Sequence, residues 1–174
     1  LESELSTQKS KITWVHCASL GEFEQGRPLI ERLKEQGSGH KILLTFFSPS
    51  GYETRKDYKG ADWVFYLPMD GPRNAKRFLE IVKPSLVIFV KYEFWLNYLA
   101  EIRQRNIAHY LVSAIFRKEQ IFFKSHGEIF RKALKGYTHI FTQDKKSNDL
   151  LKTIGVENVT VAGDTRFDRV TEIV

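Results

Sequence analysis

The sequence predicts an α/β domain built on a doubly wound, mostly parallel, Rossmann-like sheet. Three observations predict it. Seven short apolar runs alternate with segments of helical periodicity from residue 12 to the end of the chain. The runs are apolar at successive residues rather than at every second one, the pattern of strands covered on both faces. Four of the helical segments stop at Gly37, Pro84, Gly136 or Gly155, residues that end helices and release the chain into the next strand.

Taken in order, the predicted strands are Ile12–His16, Lys41–Phe46, Trp63–Leu67, Leu86–Val90, Ala108–Ser113, His139–Thr142 and Val159–Ala162. The first helix is expected from Glu22 to Gln36, with Leu29, Ile30 and Leu33 as its apolar stripe. A short helix follows Ser48-Pro49-Ser50. The third opens at Gly71-Pro72, with proline at the first helical position, and buries Phe78, Leu79 and Val82. Helices are then expected over Glu93–Arg105, Lys124–Lys135 and Lys145–Ile154, the last with Asp144 as N-cap.

The polar stretch 1–11 reads as a linker or boundary, and 12–174 as one domain, long enough at this size to bury a core of its own. Lys and Arg outnumber Asp and Glu by 27 to 21, so the chain favours an anionic partner: phosphate, nucleic acid or an acidic membrane surface. No nucleic-acid-binding signature is present, which sets nucleic acid aside. Cys17 is the single cysteine, so no internal disulfide forms. No apolar run approaches the roughly 18 residues of a membrane span.

The segment of greatest interest is Trp14-Val15-His16-Cys17-Ala18-Ser19-Leu20-Gly21-Glu22. It is a strand, a small-residue turn and a carboxylate at a helix start. Chemistry in doubly wound sheets gathers at the carboxyl ends of strands. Glu22 is therefore either a fixed base at the mouth of a cleft or the partner of Ser19 in a capping box, Ser-x-x-Glu. His16 reads as a core histidine or a site residue, and Cys17 as a small buried residue. The turn lacks a G-x-G-x-x-G fingerprint, and a carboxylate there would repel a pyrophosphate, which argues against nicotinamide or flavin binding. A second candidate is Lys91-Tyr92-Glu93 at the end of the fourth strand: a surface ion pair, or a lysine and a second carboxylate facing the same crevice. The third is the basic, Phe-bearing stretch 116–135, where Ile121, Phe122 and Phe123 sit among Lys118, Lys124 and Arg131. It reads as a core-facing stripe with a solvated basic face, or as a surface for lipid.

These segments together resemble the N-terminal half of the bacterial 3-deoxy-D-manno-octulosonic acid (Kdo) transferases. A Trp-x-His-x-x-Ser-x-Gly-Glu signature is met by Trp14, His16, Ser19, Gly21 and Glu22. A Gly-Asn-x-Lys-Phe-Asp signature is met by Gly163, Phe167 and Asp168, with Asp164 and Arg166 as replacements. A Glu-x-Glu-x-Trp-Pro-Asn signature is met by Glu93, Trp95 and Asn97, with Lys91 and Leu96 as replacements.

The resemblance implies a two-domain GT-B glycosyltransferase, inverting, with no metal and no cofactor. It would use CMP-Kdo as donor and a lipid A precursor as acceptor, at the cytoplasmic face of the inner membrane behind an upstream anchor. By the same resemblance Glu22 is the general base, and Glu93 and Arg166 stabilise the transition state. Ser19, Gly21, Lys91, Phe122, Phe123 and Lys124 are then candidates for holding the acceptor. The donor is bound mainly by a second domain beyond this chain, so the chain alone would be inactive. Two other readings stay open: a non-catalytic α/β module that binds an anion, and another GT-B enzyme using a nucleotide sugar.

Overall fold

The computed structural model describes residues 10–37, 39–91 and 94–163. Seven strands form one sheet in the order β3-β2-β1-β4-β5-β6-β7. They are β1 (Ile12–His16), β2 (Lys41–Phe46), β3 (Trp63–Tyr66), β4 (Leu86–Val90), β5 (Ala108–Ala114), β6 (His139–Thr142) and β7 (Val159–Val161). Every neighbouring pair is parallel.

Six α-helices are described: α1 (Leu20–Glu35), α2 (Pro49–Arg55), α3 (Pro72–Val82), α4 (Leu96–Gln104), α5 (Glu128–Lys135) and α6 (Lys145–Thr153). A single 3₁₀ turn, Ile121–Phe123, precedes α5. Helical crossovers carry the chain outward from β1 to β3 on one face, then back past β1 and outward to β7 on the other. The core is accordingly in two layers. Val15, Leu44, Ile88 and Val112 pack with Phe23, Leu29 and Ile30 of α1. Trp14, Val87, Phe89 and Leu111 pack with Phe78 of α3, Tyr98 of α4 and Leu134 of α5. Successive residues of one strand feed opposite layers, which is why the strands are apolar throughout.

Four strands have the bounds expected from the sequence. β3 and β7 are each one residue shorter, and β5 one residue longer. Two helices are corrected. The one expected from Glu93 starts at Leu96, and the one expected from Lys124 starts at Glu128. Asp144 caps α6 as expected, its carboxylate accepting from the Ser147 N–H at 2.6 Å. Gly37 follows α1 with φ +58°, the left-handed conformation a helix-ending glycine supplies. Among the described residues no helix is long and apolar enough to cross a membrane.

Candidate functional site

The strand order reverses between β1 and β4. β1 pairs with β2 on one side and β4 on the other, with His16 opposite Phe89, so the two carboxyl ends lie level. The chain leaves β1 for α1 and β4 for α4, on opposite faces of the sheet. A crevice at such a reversal is where doubly wound sheets bind ligands. The first two sequence candidates, the Ser19–Glu22 turn and Lys91, lie at its two lips.

Ser19 occupies the N-cap position of α1, with extended backbone at φ −139° and ψ 178°. Its hydroxyl makes no bond to a helix N–H. It donates instead to the Glu22 carboxylate, so the reciprocal capping box does not form. Glu22 is the third residue of the helix and is half-buried. It is thus fixed at its backbone by the first helical turn and at its carboxylate by a neighbouring hydroxyl, with an exposed glycine, Gly21, beside it. The turn is tied from behind: Ala18 O accepts from the N–H groups of Phe47 and Ser48, at 3.2 and 2.7 Å.

His16 is the core histidine of the two readings. It is fully buried, with Nδ1 2.9 Å from the Thr45 hydroxyl, which also accepts from the Trp14 indole at 2.8 Å. Cys17 is fully buried as well. Its sulfur lies against Gly26 of α1, where an added Cβ would stand 3.3 Å from Sγ and 2.9 Å from a Val90 methyl. Gly26 thereby lets α1 settle directly on the ends of β1 and β4, one turn beyond Glu22.

Across the crevice, Lys91 is half-buried and left-handed, with φ +73°. Its N–H donates to Val112 O at 2.8 Å, prolonging the β4–β5 ladder by one bond. A non-glycine residue held at positive φ stores strain, and such residues gather at functional sites. Glu93 and Arg166 lie outside the described residues, as do Tyr92, Phe167 and Asp168. The rest of the middle motif is fixed by a residue that sequence reasoning missed. Asp70, in the loop after β3, accepts from the N–H groups of Asn97 (3.2 Å) and Tyr98 (3.3 Å), capping α4 from outside. Trp95, at the N-cap position of α4, cannot do so itself. The Tyr98 hydroxyl donates to Pro68 O at 3.0 Å; burial, with the Asp70 charge adding to it, pushes its pKa well above the ordinary phenol value. No signal for Asp70 exists in the local sequence, since its partners are about thirty residues away.

The basic, Phe-bearing stretch divides. Phe122 is only 4% exposed and packs on Phe94 (centroids 4.4 Å apart), Phe116, Phe123 and Phe130. This corrects its assignment as an acceptor-facing ring: it is core. Phe123 is half-buried against the same cluster, while Lys124 is exposed. Arg131 spends its guanidinium on the loop itself, donating to the carbonyls of Phe122 (3.1 Å), Lys124 (2.6 Å) and Ser125 (3.2 Å). The apolar side chains that do reach the surface are Ile121 and Ile129, at 36% and 60% exposure. Among the described residues no group of three or more His, Cys, Asp or Glu converges to hold a metal.

Comparison with known proteins agrees with the motifs. Residues 2–169 match the family described as 3-Deoxy-D-manno-octulosonic-acid transferase (kdotransferase). The 3-deoxy-D-manno-octulosonic acid transferase of Aquifex aeolicus is 34% identical over 158 residues, covering 88% of this chain and 40% of that protein. That of Bordetella pertussis is 31% identical over 162 residues, covering 89% and 37%. The chain therefore spans about two fifths of the length of these relatives. Among solved structures, the UDP-GlcNAc 2-epimerase of Neisseria meningitidis aligns with TM-score 0.62 at 16% identity, over 93% of this chain and 49% of that one. The UDP-N-acetylglucosamine 2-epimerase of Rickettsia bellii aligns with TM-score 0.63 at 15% identity, over 94% and 48%. At that identity the likeness concerns the fold alone, a Rossmann-like half of a longer chain. The matched family, the two relatives and the Trp-x-His-x-x-Ser-x-Gly-Glu turn agree: the chain belongs to the 3-deoxy-D-manno-octulosonic-acid transferase family.

Proposed function

We propose that this chain is the acceptor-side half of an inverting glycosyltransferase that moves Kdo from CMP-Kdo to a sugar hydroxyl of a lipid A precursor, with Glu22 as general base. The observation that carries this is the Glu22 carboxylate, half-buried at the third residue of α1, held by the Ser19 hydroxyl, on the helix that leaves β1 beside the strand-order reversal. Family membership supplies the donor and acceptor classes. In the reaction the acceptor hydroxyl attacks the anomeric carbon of Kdo while Glu22 takes its proton. The bond from that carbon to the CMP phosphate breaks, and CMP leaves with the electron pair. A base placed within reach of the attacking hydroxyl typically contributes about 10²–10⁴-fold in rate. Arg166 and Glu93 are proposed, from their motif positions, to stabilise the charge that develops.

The donor is proposed to lie mainly on the remainder of the full-length protein, so the 174-residue chain alone should not transfer Kdo. The proposed setting is the cytoplasmic face of the inner membrane. Ile121 and Ile129, exposed beside Lys124 and Lys132, suit a lipid–water boundary, and the excess of basic residues suits anionic headgroups. The test is direct: the full-length protein with CMP-Kdo and a lipid A precursor, the product read by mass spectrometry. Product carrying added Kdo is the expected result. Turnover with a different sugar nucleotide and none with CMP-Kdo would favour another glycosyltransferase chemistry, and turnover with neither would leave a binding module.

A further inference from the structure

The carboxyl edge of the sheet holds a second group of polar side chains that the family motifs do not include. Gln25 lies one helical turn beyond Glu22 on α1, so the two side chains share a face, with Cβ atoms about 5–6 Å apart at that spacing. The Gln143 carboxamide donates to Gln25 Oε1 at 3.3 Å, across 118 residues of sequence. Gln143 follows β6, and its own N–H donates to Ala114 O at 2.9 Å, which fixes it to the end of β5. Both glutamines are half-buried. The residue before Ala114 is Ser113, left-handed at φ +55° and only 3% exposed, and its hydroxyl has no hydrogen-bond partner. There the register with β6 slips: Leu111 faces Ile140 and Ala114 faces Thr142, so Val112 and Ser113 together oppose one residue. A bulge beside a site re-aims side chains, and a buried unsatisfied hydroxyl at positive φ calls for a functional reason.

We infer that Gln25 and Gln143, with Ser113 beside them, form a subsite for the neutral hydroxyls of a sugar ring, adjoining Glu22. This rests on the glycosyl-transfer reading above and deepens it by naming what holds the acceptor ring. Each carboxamide has two donor hydrogens and two acceptor positions. Their mutual bond uses one hydrogen of Gln143 and one acceptor position of Gln25. What remains is a mixed row of donors and acceptors with no net charge. A sugar hydroxyl donates and accepts at once, so adjacent ring hydroxyls match that row. A phosphate or carboxylate only accepts, and would face the amide oxygens and the nearby Glu22 charge. The occupant is therefore the uncharged face of a sugar, placed with one hydroxyl toward the base.

The test uses the full-length protein with Gln25→Ala, Gln143→Ala and the double variant. The double variant should raise the acceptor KM about tenfold, the scale of one or two neutral hydrogen bonds, with kcat, the donor KM and the melting temperature nearly unchanged. Gln25→Asn should recover part of the loss. An unchanged acceptor KM overturns the subsite. So does a lowered melting temperature with kcat and both KM values shifted together, which marks the pair as a structural tie. If the wild-type protein transfers no Kdo, the glycosyl-transfer reading fails by itself. The subsite is then read by titrating a glucosamine disaccharide into the wild-type and double-variant proteins. Weaker binding by the variant supports it, and equal binding overturns it.

Discussion

Trp95 meets His16 edge-on, with ring centroids 5.1 Å apart and planes at 89°. Trp95 also meets Phe47 at 5.0 Å. One indole thus joins the ends of β1, β2 and β4 and links the Trp-x-His turn to the middle motif. Edge-to-face pairs of this kind contribute about 0.5–1.5 kcal/mol beyond the area they bury. His16 is fully buried in this packing.

The position of Trp95 depends on the cap supplied by Asp70. Asp70→Ala removes the acceptor for two N–H groups of α4 and should cost about 0.5–2 kcal/mol, the usual range for a lost cap. Asp70→Asn, which keeps an acceptor oxygen, should recover most of it. Denaturant unfolding measures both. If Ala and Asn variants match the wild type, the capping account of α4 is wrong.

Gly26→Ala has a sign that decides between two effects. Alanine is intrinsically better than glycine in a helix by about 1 kcal/mol. Here the new methyl would meet Val90 at 2.9 Å and Cys17 at 3.3 Å, both buried. Overpacking of that kind costs about 1–3 kcal/mol. The variant should be less stable than wild type, and because α1 carries Glu22, its turnover should fall too. A gain in melting temperature would show that α1 is not seated as described.

The aromatic stretch gives a paired prediction. Phe122→Ser empties a position walled by four aromatic rings and should destabilise by about 3–5 kcal/mol. Ile121→Ser and Ile129→Ser, at exposed positions, should change stability by less than about 0.5 kcal/mol. They should instead weaken sedimentation with anionic vesicles. Equal vesicle binding by the Ile variants and the wild type would remove this surface from the membrane account.

A pH dependence follows from His109. Burial pushes its pKa down from the ordinary 6.5; the bond at Ile107 O opposes this, and the Arg103 charge adds to the fall. Burial lowers His139 in the same way. Between the unfolded value and the lower folded one, the unfolded chain holds more protons, so stability rises with pH there. The contribution is complete above about pH 6.5 and is lost as pH falls through the folded value. The melting temperature should therefore rise as the pH is brought up toward about 6.5, and His109→Gln should flatten that rise. An unaltered slope in the variant would assign the effect elsewhere.

Strands and site differ in how far they could be read from residues. β1, β2, β4 and β6 have their expected bounds because each is a short, mostly apolar run between segments of helical pattern, a local signal. α1 is continuous through Pro28, although proline removes a helical bond, because Phe23, Gly26, Leu29 and Ile30 bury on the sheet. α4 and α5 start late for tertiary reasons. The chain turns left-handed at Lys91, and Ile121–Phe123 closes into a separate 3₁₀ turn. Of the adjacent rings Phe122 and Phe123, only packing decides which is core. The turn that carries Glu22 is legible because it is local. Asp70, Gln143 and the Ser113 bulge are not, because each is defined by a partner distant in sequence.

The most direct test of the account is Glu22→Gln in the full-length protein, with Kdo transfer from CMP-Kdo to a lipid A precursor as the readout. The amide can still accept from Ser19 but cannot take up the proton of the attacking hydroxyl. The account predicts a loss of kcat of about a hundredfold or more, with the melting temperature and the acceptor KM near wild type. Turnover close to wild type would contradict it and leave Glu22 a helix-start residue with no part in the chemistry.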